Sequence, residues 1–197
     1  MLPERRVSPL AIDLTLLHRR SITSLFSNLV TRPTGRAVRT GVESQIAELD
    51  GEGSVCLSVL DFSQVRVLDY SCADEIVAKL LLRYLGPDRP AEAFFLFRGL
   101  HEHHREPVEE VLDHHEILAV AELEDEGFQL LGKAHPVQRT CWEASLRAGR
   151  ATAAELAAAA GMVAEAAAAV LGGLAARRVV ISYRDGTYCS LPHFLDE

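Results

Sequence analysis

Asp69, Ser71 and Asp74 stand within six residues of one another, with Asp61 eight residues upstream of Asp69. From Ala73 the apolar residues fall at Ala73, Ile76, Val77, Leu80, Leu81, Tyr84 and Leu85, the three-four spacing of an amphipathic helix. Ser71 lies just before that face. A serine in this place can accept hydrogen bonds from the unpaired N–H groups of the first turn, and Asp74, three residues on, completes a capping-box-like pair. The same hydroxyl suits phosphorylation, because a phosphate carries roughly two negative charges and a helix N-terminus favours an anion. Ser71 is therefore read as a helix cap or as a charge switch. Asp61 and Asp69, placed at strand or turn ends, bond free N–H groups in the first reading.

A second set of reactive side chains is His101, His103 and His104, followed by His114 and His115. Histidine is a common metal ligand, but His104 and His114 are ten residues apart, on the order of 15 Å along a regular helix. They are read as solvated loop and helix-end side chains, with a metal site or pH-sensitive interface at His101, His103 and His104 as the alternative. No metal or cofactor is expected. The sequence holds no Gly-x-Ser-x-Gly elbow, no phosphate loop ending in Gly-Lys-Ser or Gly-Lys-Thr, and no dinucleotide glycine pattern, so no catalytic residue is assigned and no enzyme is expected.

The elements that must position these residues alternate. Residues 36–49 place Val38, Val42, Ile46 and Leu49 on one side of a helix, after the breaker-rich Thr31-Arg32-Pro33-Thr34-Gly35. Residues 55–62 are a near-continuous apolar run, as in a strand covered on both faces, and a tight turn is expected before the helix of 72–85. Ala93 to Phe97 is a second buried strand, and Pro107 is placed to start the next helix. Ile117–Leu123 and Phe128–Leu131 read as a hairpin. The pattern predicts a mixed sheet covered by helices.

The Asp69-x-Ser71 strand end and the apolar helix after it resemble the STAS core of anti-sigma-factor antagonists, with Tyr70 where serine or threonine is common and Cys72 where glycine is common. Gly35-Arg36-Ala37-Val38-Arg39 together with Asp61-Phe62-Ser63 is similar to the STAS-like domains of unknown function, over roughly residues 30 to 125. The resemblance implies a STAS-like α/β fold and a regulatory serine at Ser71, with Asp61, Asp69 and Asp74 shaping the surface that a partner kinase or anti-sigma-like regulator recognises.

From Pro136 the signals change. Helices are expected at about Val137–Ala148, from a Thr152/Glu155 capping box to Gly161, and at about Val163–Arg177, followed by a hairpin turning at Arg184-Asp185-Gly186-Thr187. This order resembles a winged helix-turn-helix over about 60 residues. The expected organisation is an arm at 1–29, the STAS-like domain at 30–135 and a small α+β winged helix at 136–197.

A recognition helix offering Ala164 to Ala169 with a single glutamate has almost nothing with which to read bases. Arg177, Arg178 and Arg184 are the candidates for phosphate contact, whereas Ala167 and Ala168 form an alanine face suited to a protein partner or a second copy. DNA is not favoured. Charge agrees, since the first 136 residues hold 14 Lys and Arg against 22 Asp and Glu, and the remainder hold six of each. Arg5, Arg6, Arg19 and Arg20 make the opening arm basic, either folded onto an acidic domain or docking an acidic partner. Asp13, His18, Arg19 and Arg20 interrupt any apolar leader, no run of 18 apolar residues occurs, and the four cysteines form no C-x-x-C pair. The expectation is a cytoplasmic regulatory adaptor acting through protein–protein contact, away from membranes.

Overall fold

The computed structural model describes residues 11–12, 17–49 and 55–195. The arginines at 5 and 6 of the expected basic arm lie outside them. The central element is a five-stranded sheet of β2 (Leu17–Leu29), β3 (Val55–Leu68), β4 (Ala93–Leu100), β5 (Ala119–Leu123) and β6 (Gly127–Leu131), in that spatial order. The first four strands are parallel and β6 returns antiparallel through the expected hairpin. An α/β protein with a mixed sheet covered by helices is thus the observed class.

Because each parallel strand lies beside its predecessor, right-handed crossovers place all the connecting helices on one face. These are α1 (Arg32–Leu49), the continuous helix made of α2 (Tyr70–Ala73), a π-helical stretch (Asp74–Lys79) and α3 (Leu80–Leu85), and α4 (Glu102–His114). Cys56, Leu60 and Phe62 of β3, with Ala93, Phe95 and Phe97 of β4, meet Val42, Ile46, Ile76, Leu80, Val108 and Leu112 there. The opposite face would be left bare. The alternate residues Val55, Leu57, Val59, Phe94, Leu96 and Val120 pack against the C-terminal part through Trp142, Leu156, Leu171, Leu174 and Leu191. Cover on both faces is why β3 and β4 read as unbroken apolar runs.

The C-terminal part contains α5 (Pro136–Ala148), β7 (Ala151–Thr152), α6 (Ala153–Ala160), α7 (Ala164–Ala176), β8 (Val180–Tyr183) and β9 (Thr187–Ser190). The strands form a second sheet of order β1-β8-β9-β7, where β1 is Ala11–Ile12. The Thr152/Glu155 capping box is present, and Gly161 ends α6 at φ 66°, a left-handed conformation glycine adopts without penalty. No single helix among the described residues is long and apolar enough to cross a membrane.

Two arginines fasten this part to the sheet. Arg139 of α5 donates to the carbonyls of Leu130 and Gly132, the latter at 2.8 Å. Arg178 donates to the Ala93 carbonyl at 2.8 Å, pairs with Glu92 at 3.0 Å and lies over the Phe94 ring at 4.1 Å. Arg178 is buried, which removes it from the set expected to touch phosphates; its charge is already engaged inside the protein. It also sits at φ 58° after the last turn of α7, where the Arg178 and Val179 N–H groups close onto Ala175 and Leu174 in the manner of a Schellman motif. Arg178→Ala is expected to cost about 2 kcal/mol for the lost buried hydrogen bonds. Arg178→Gly is expected to cost about 1 kcal/mol less than Ala, because glycine relieves the left-handed backbone. Urea midpoints of the two variants, compared with the parent, check both the size and the order.

Two sequence expectations change at the sheet. β3 does not turn after Ser63 but runs on to Leu68, and its register with β2 slips between Ser24 and Phe26 and again between Ser27 and Asn28, each slip inserting an extra β3 residue. Such bulges break the two-residue alternation, so Phe62, Val65 and Leu68 are buried with pairs of exposed residues between them, Ser63 and Gln64, then Arg66 and Val67. That pattern imitates a turn in the sequence. Likewise α4 starts at Glu102, so Pro107 lies inside the helix rather than at its first position. The helix begins early because the His104 ring reaches back to accept the His101 N–H at 3.3 Å, closing the first turn.

Candidate interaction site at the first turn of α2

β2 and β3 end side by side, with the Asp69 N–H donating to the Leu29 carbonyl at 3.0 Å, and α1 and α2 both start from that point. Asp69 caps α2. One of its oxygens accepts from the Cys72 N–H at 2.8 Å and from the Ser71 hydroxyl at 2.9 Å, and the other from the Thr31 N–H at 3.2 Å. Ser71 is therefore not the cap, because the helix starts at Tyr70 and the serine lies inside the first turn, half-buried and donating backward. Against the cost of burial, these donors hold the Asp69 carboxyl below the ordinary carboxylate range.

Thr31 has φ 97°, an unusual value for a β-branched residue, worth about 1–3 kcal/mol of strain. It is held by the N–H bond to Asp69, by the Cys72 thiol donating to its carbonyl at 3.0 Å, and by a hydroxyl contact with Thr34 at 3.0 Å. Burial, then the charge of Asp69, push the Cys72 thiol up to about 11, so it stays a neutral donor. Gly35 lets α1 cross this turn closely: a Cβ there would come within 3.0 Å of the Cys72 Cα and the Glu75 Cβ.

Beneath the turn lies a charge layer. Asp74 is not a capping-box partner of Ser71; its carboxylate accepts from Arg32 at 2.6 Å and from His115 at 2.9 Å, and Lys79 lies at 3.2 Å. Against burial, His115, Arg32 and Lys79 hold the Asp74 carboxyl down to about 2. Glu75, with a side chain wholly removed from solvent, is ringed by Arg32, Arg39 and Lys79. All this falls in the π-helical stretch, an insertion that recurs at functional sites and sets two successive carboxylates inward. Reasoning from sequence missed Thr31, Arg32, Arg39, Glu75 and Lys79 as members of this site and took His115 only for a helix-end histidine; the available signals were the four-residue spacings Arg39–Glu43 and Glu75–Lys79.

Asp61 does not join this site. It sits in mid-strand, paired with Arg98 at 2.8 Å and accepting from the Ser63 N–H at 3.0 Å. The eight residues to Asp69 span on the order of 25 Å of strand.

Of the described histidines only His115 joins the site; His101, His103 and His104 stand apart, with His103 and His114 exposed as expected but His104 buried and His101 half-buried. His101 faces the Glu124 carboxylate with one ring nitrogen and the Ser63 carbonyl, at 3.3 Å, with the other. His103 donates to the Arg66 carbonyl at 3.0 Å, and His104 is fully buried. Ser63 and Arg66 belong to the bulged stretches of β3, so the imidazoles serve carbonyls that the strand ladder leaves over. Among the described residues, no group of three or more His, Cys, Asp or Glu could hold a metal ion.

On α7, Ala167 is fully buried and Ala168 half-buried, while Ala164, Glu165, Ala166 and Ala169 face solvent. Ala167 is thus a core residue and not a contact for a partner. Arg177 and Arg184 are exposed. No family model matches the chain, and neither a curated protein nor a solved structure matches it.

Proposed function

We propose that the chain is an intracellular regulatory adaptor with a STAS-like N-terminal part, acting by protein–protein contact at the surface around Thr31, Asp69 and Ser71, with phosphorylation of Ser71 as the switch. The observation that supports this is the Ser71 hydroxyl: half-buried in the first turn of a helix, it is hydrogen-bonded to the capping Asp69 and flanked by a strained Thr31. A phosphate on that oxygen removes its proton from the Asp69 bond and sets roughly two negative charges beside the cap. Helix dipoles tolerate the anion, whereas a partner matched to a neutral hydroxyl meets like charge, which costs several kcal/mol at an interface. The partner is an ATP-binding kinase, an anti-sigma-like regulator or a second copy of the chain. A winged-helix reading of α5 to β9 fits a structural role, the covering of the sheet, better than duplex recognition: α7 exposes alanines and Arg178 is spent on Glu92.

Ser71→Asp is expected to abolish capture of the cognate partner. Ser71→Ala should retain it, at a stability cost of about 1.5 kcal/mol, the low end for a hydrogen bond to a carboxylate. Affinity capture from the cells of origin, with the parent and both variants compared by mass spectrometry, checks this. Equal recovery of the same partner by both variants would defeat the switch.

A further inference from the structure

Roughly 15 Å further along the same helix, a groove of about 460 Å³ opens between α1 and the end of α3, with Arg39, Lys79, Leu82, Arg83 and Asp88 among its walls. Arg32, Arg36 and Arg39 follow the four- and three-residue spacing of one α1 face, and Lys79 and Arg83 do the same on the facing helix. The carboxylates that answer some of these cations lie underneath: the side chains of Glu75 and Asp74 are 0% and 9% exposed, against 43% for Arg32 and 35% for Lys79. For these pairs the anions lie inside and the cations outside, whereas Arg39 also meets Glu43 of its own helix at 2.9 Å near the surface. Arg36 and Arg83 are exposed and make no ion pair among the described residues. Leu82, among the few large apolar side chains left exposed, sits beside Arg83 in the same wall.

A chain of net charge −8 that gathers cations around one exposed leucine presents a surface unlike the rest of itself. We infer that this groove binds an acidic polypeptide segment, with Asp or Glu side chains on Arg36, Arg39, Lys79 and Arg83 and an apolar residue on Leu82. A short segment fits better than a nucleic acid, because a long polyanion would run past the groove along a chain whose net charge is −8, whereas a peptide ends within it. Guanidinium forks favour the planar carboxylate as the contacting group. The assignment stands independently of the Ser71 switch, since it uses neither the hydroxyl nor its phosphate.

The test uses the full chain and a fluorescent peptide of about a dozen residues, rich in Asp and Glu around a central Leu, followed by anisotropy. Saturable binding that tightens as salt is lowered is expected. Arg36→Glu with Arg83→Glu should weaken it about tenfold or more, while Arg147→Glu with Arg177→Glu, reversing exposed cations elsewhere, should leave it within about twofold. Circular dichroism confirms that all variants are folded. Three outcomes would overturn the inference: a Gly/Ser-rich neutral peptide binding as tightly, the two charge-reversed pairs losing affinity alike, or a DNA oligonucleotide of matched charge binding better than the peptide.

Discussion

Ala167→Glu is expected to unfold the C-terminal part of the protein rather than to disturb a surface. Ala167 is completely buried, in the cluster that holds Trp142, Leu171 and Leu174 as well as the sheet residues Leu57, Phe94 and Leu96. A glutamate there places a carboxylate in an apolar core. Burying an unpaired polar group costs at least a few kcal/mol, and a charge costs more unless it protonates. With overpacking added, a loss of about 4 kcal/mol or more is expected, comparable with the whole stability of an ordinary domain. Ala169, two residues on and exposed, gives the control: Ala169→Glu should fall within about 0.5 kcal/mol of the parent. Since one cluster serves both the helices and the back of the sheet, the damage should reach β3 and β4. Urea unfolding followed by Trp142 fluorescence and by far-ultraviolet circular dichroism reads this, and equal midpoints for the two glutamate variants would show that Ala167 is not a core residue.

This contrast marks where the sequence is legible. Strands covered on both faces announce themselves, because β3 and β4 need apolar side chains at consecutive positions. Local devices do so too: the Thr152/Glu155 box, Gly161 and the β5–β6 hairpin depend on neighbours within five residues. An alanine-rich helix such as α7 has no apolar stripe to phase, since the same side chain fills both its buried and its exposed positions. Which alanine lies inward is decided by Trp142 and the sheet. The candidate site was legible only in its residue types. The cap passed from Ser71 to Asp69 because the strand gives way to the helix two residues earlier than the apolar spacing implies, and bulges in β3 are fixed by pairing with β2. Arg178 and Glu92 are 86 residues apart, and no local pattern links them.

The histidine cluster gives the largest expected pH effect. His104 is fully buried, its Nδ1 accepts the His101 N–H at 3.3 Å, and this leaves the proton of the neutral ring on Nε2, which meets the Val65 backbone without a well-formed hydrogen bond among the described residues. The His103 and His101 rings stand 4.1 and 5.3 Å away, centroid to centroid, and Glu124 reaches only His101. Burial, then the neighbouring imidazoles, push His104 down to about 4. A base whose folded value lies below its unfolded value makes the unfolded chain the better proton acceptor. Stability is therefore whole above the unfolded value near 6.5 and is lost as pH falls toward about 4, by about 1.4 kcal/mol per pH unit and on the order of 3 kcal/mol in all. His101 acts in the opposite sense. Glu124 raises it, and both its ring nitrogens face acceptors, so its contribution is whole below 6.5 and fades as pH rises through its raised value. Asp74, held at about 2, loses its contribution only between its unfolded value and that low one, beneath most of the His104 window. Urea unfolding at about pH 7 and about pH 4.5 should then show a steep loss for the parent and for His103→Ala, whose ring is exposed, and a much shallower one for His104→Leu. Should His104→Leu fail to fold, the imidazole C–H resonances of the parent give the His104 titration directly. A midpoint near 6.5, or parallel pH profiles for parent and variant, would mean that His104 is solvated after all and that the first turn of α4 does not depend on a neutral imidazole.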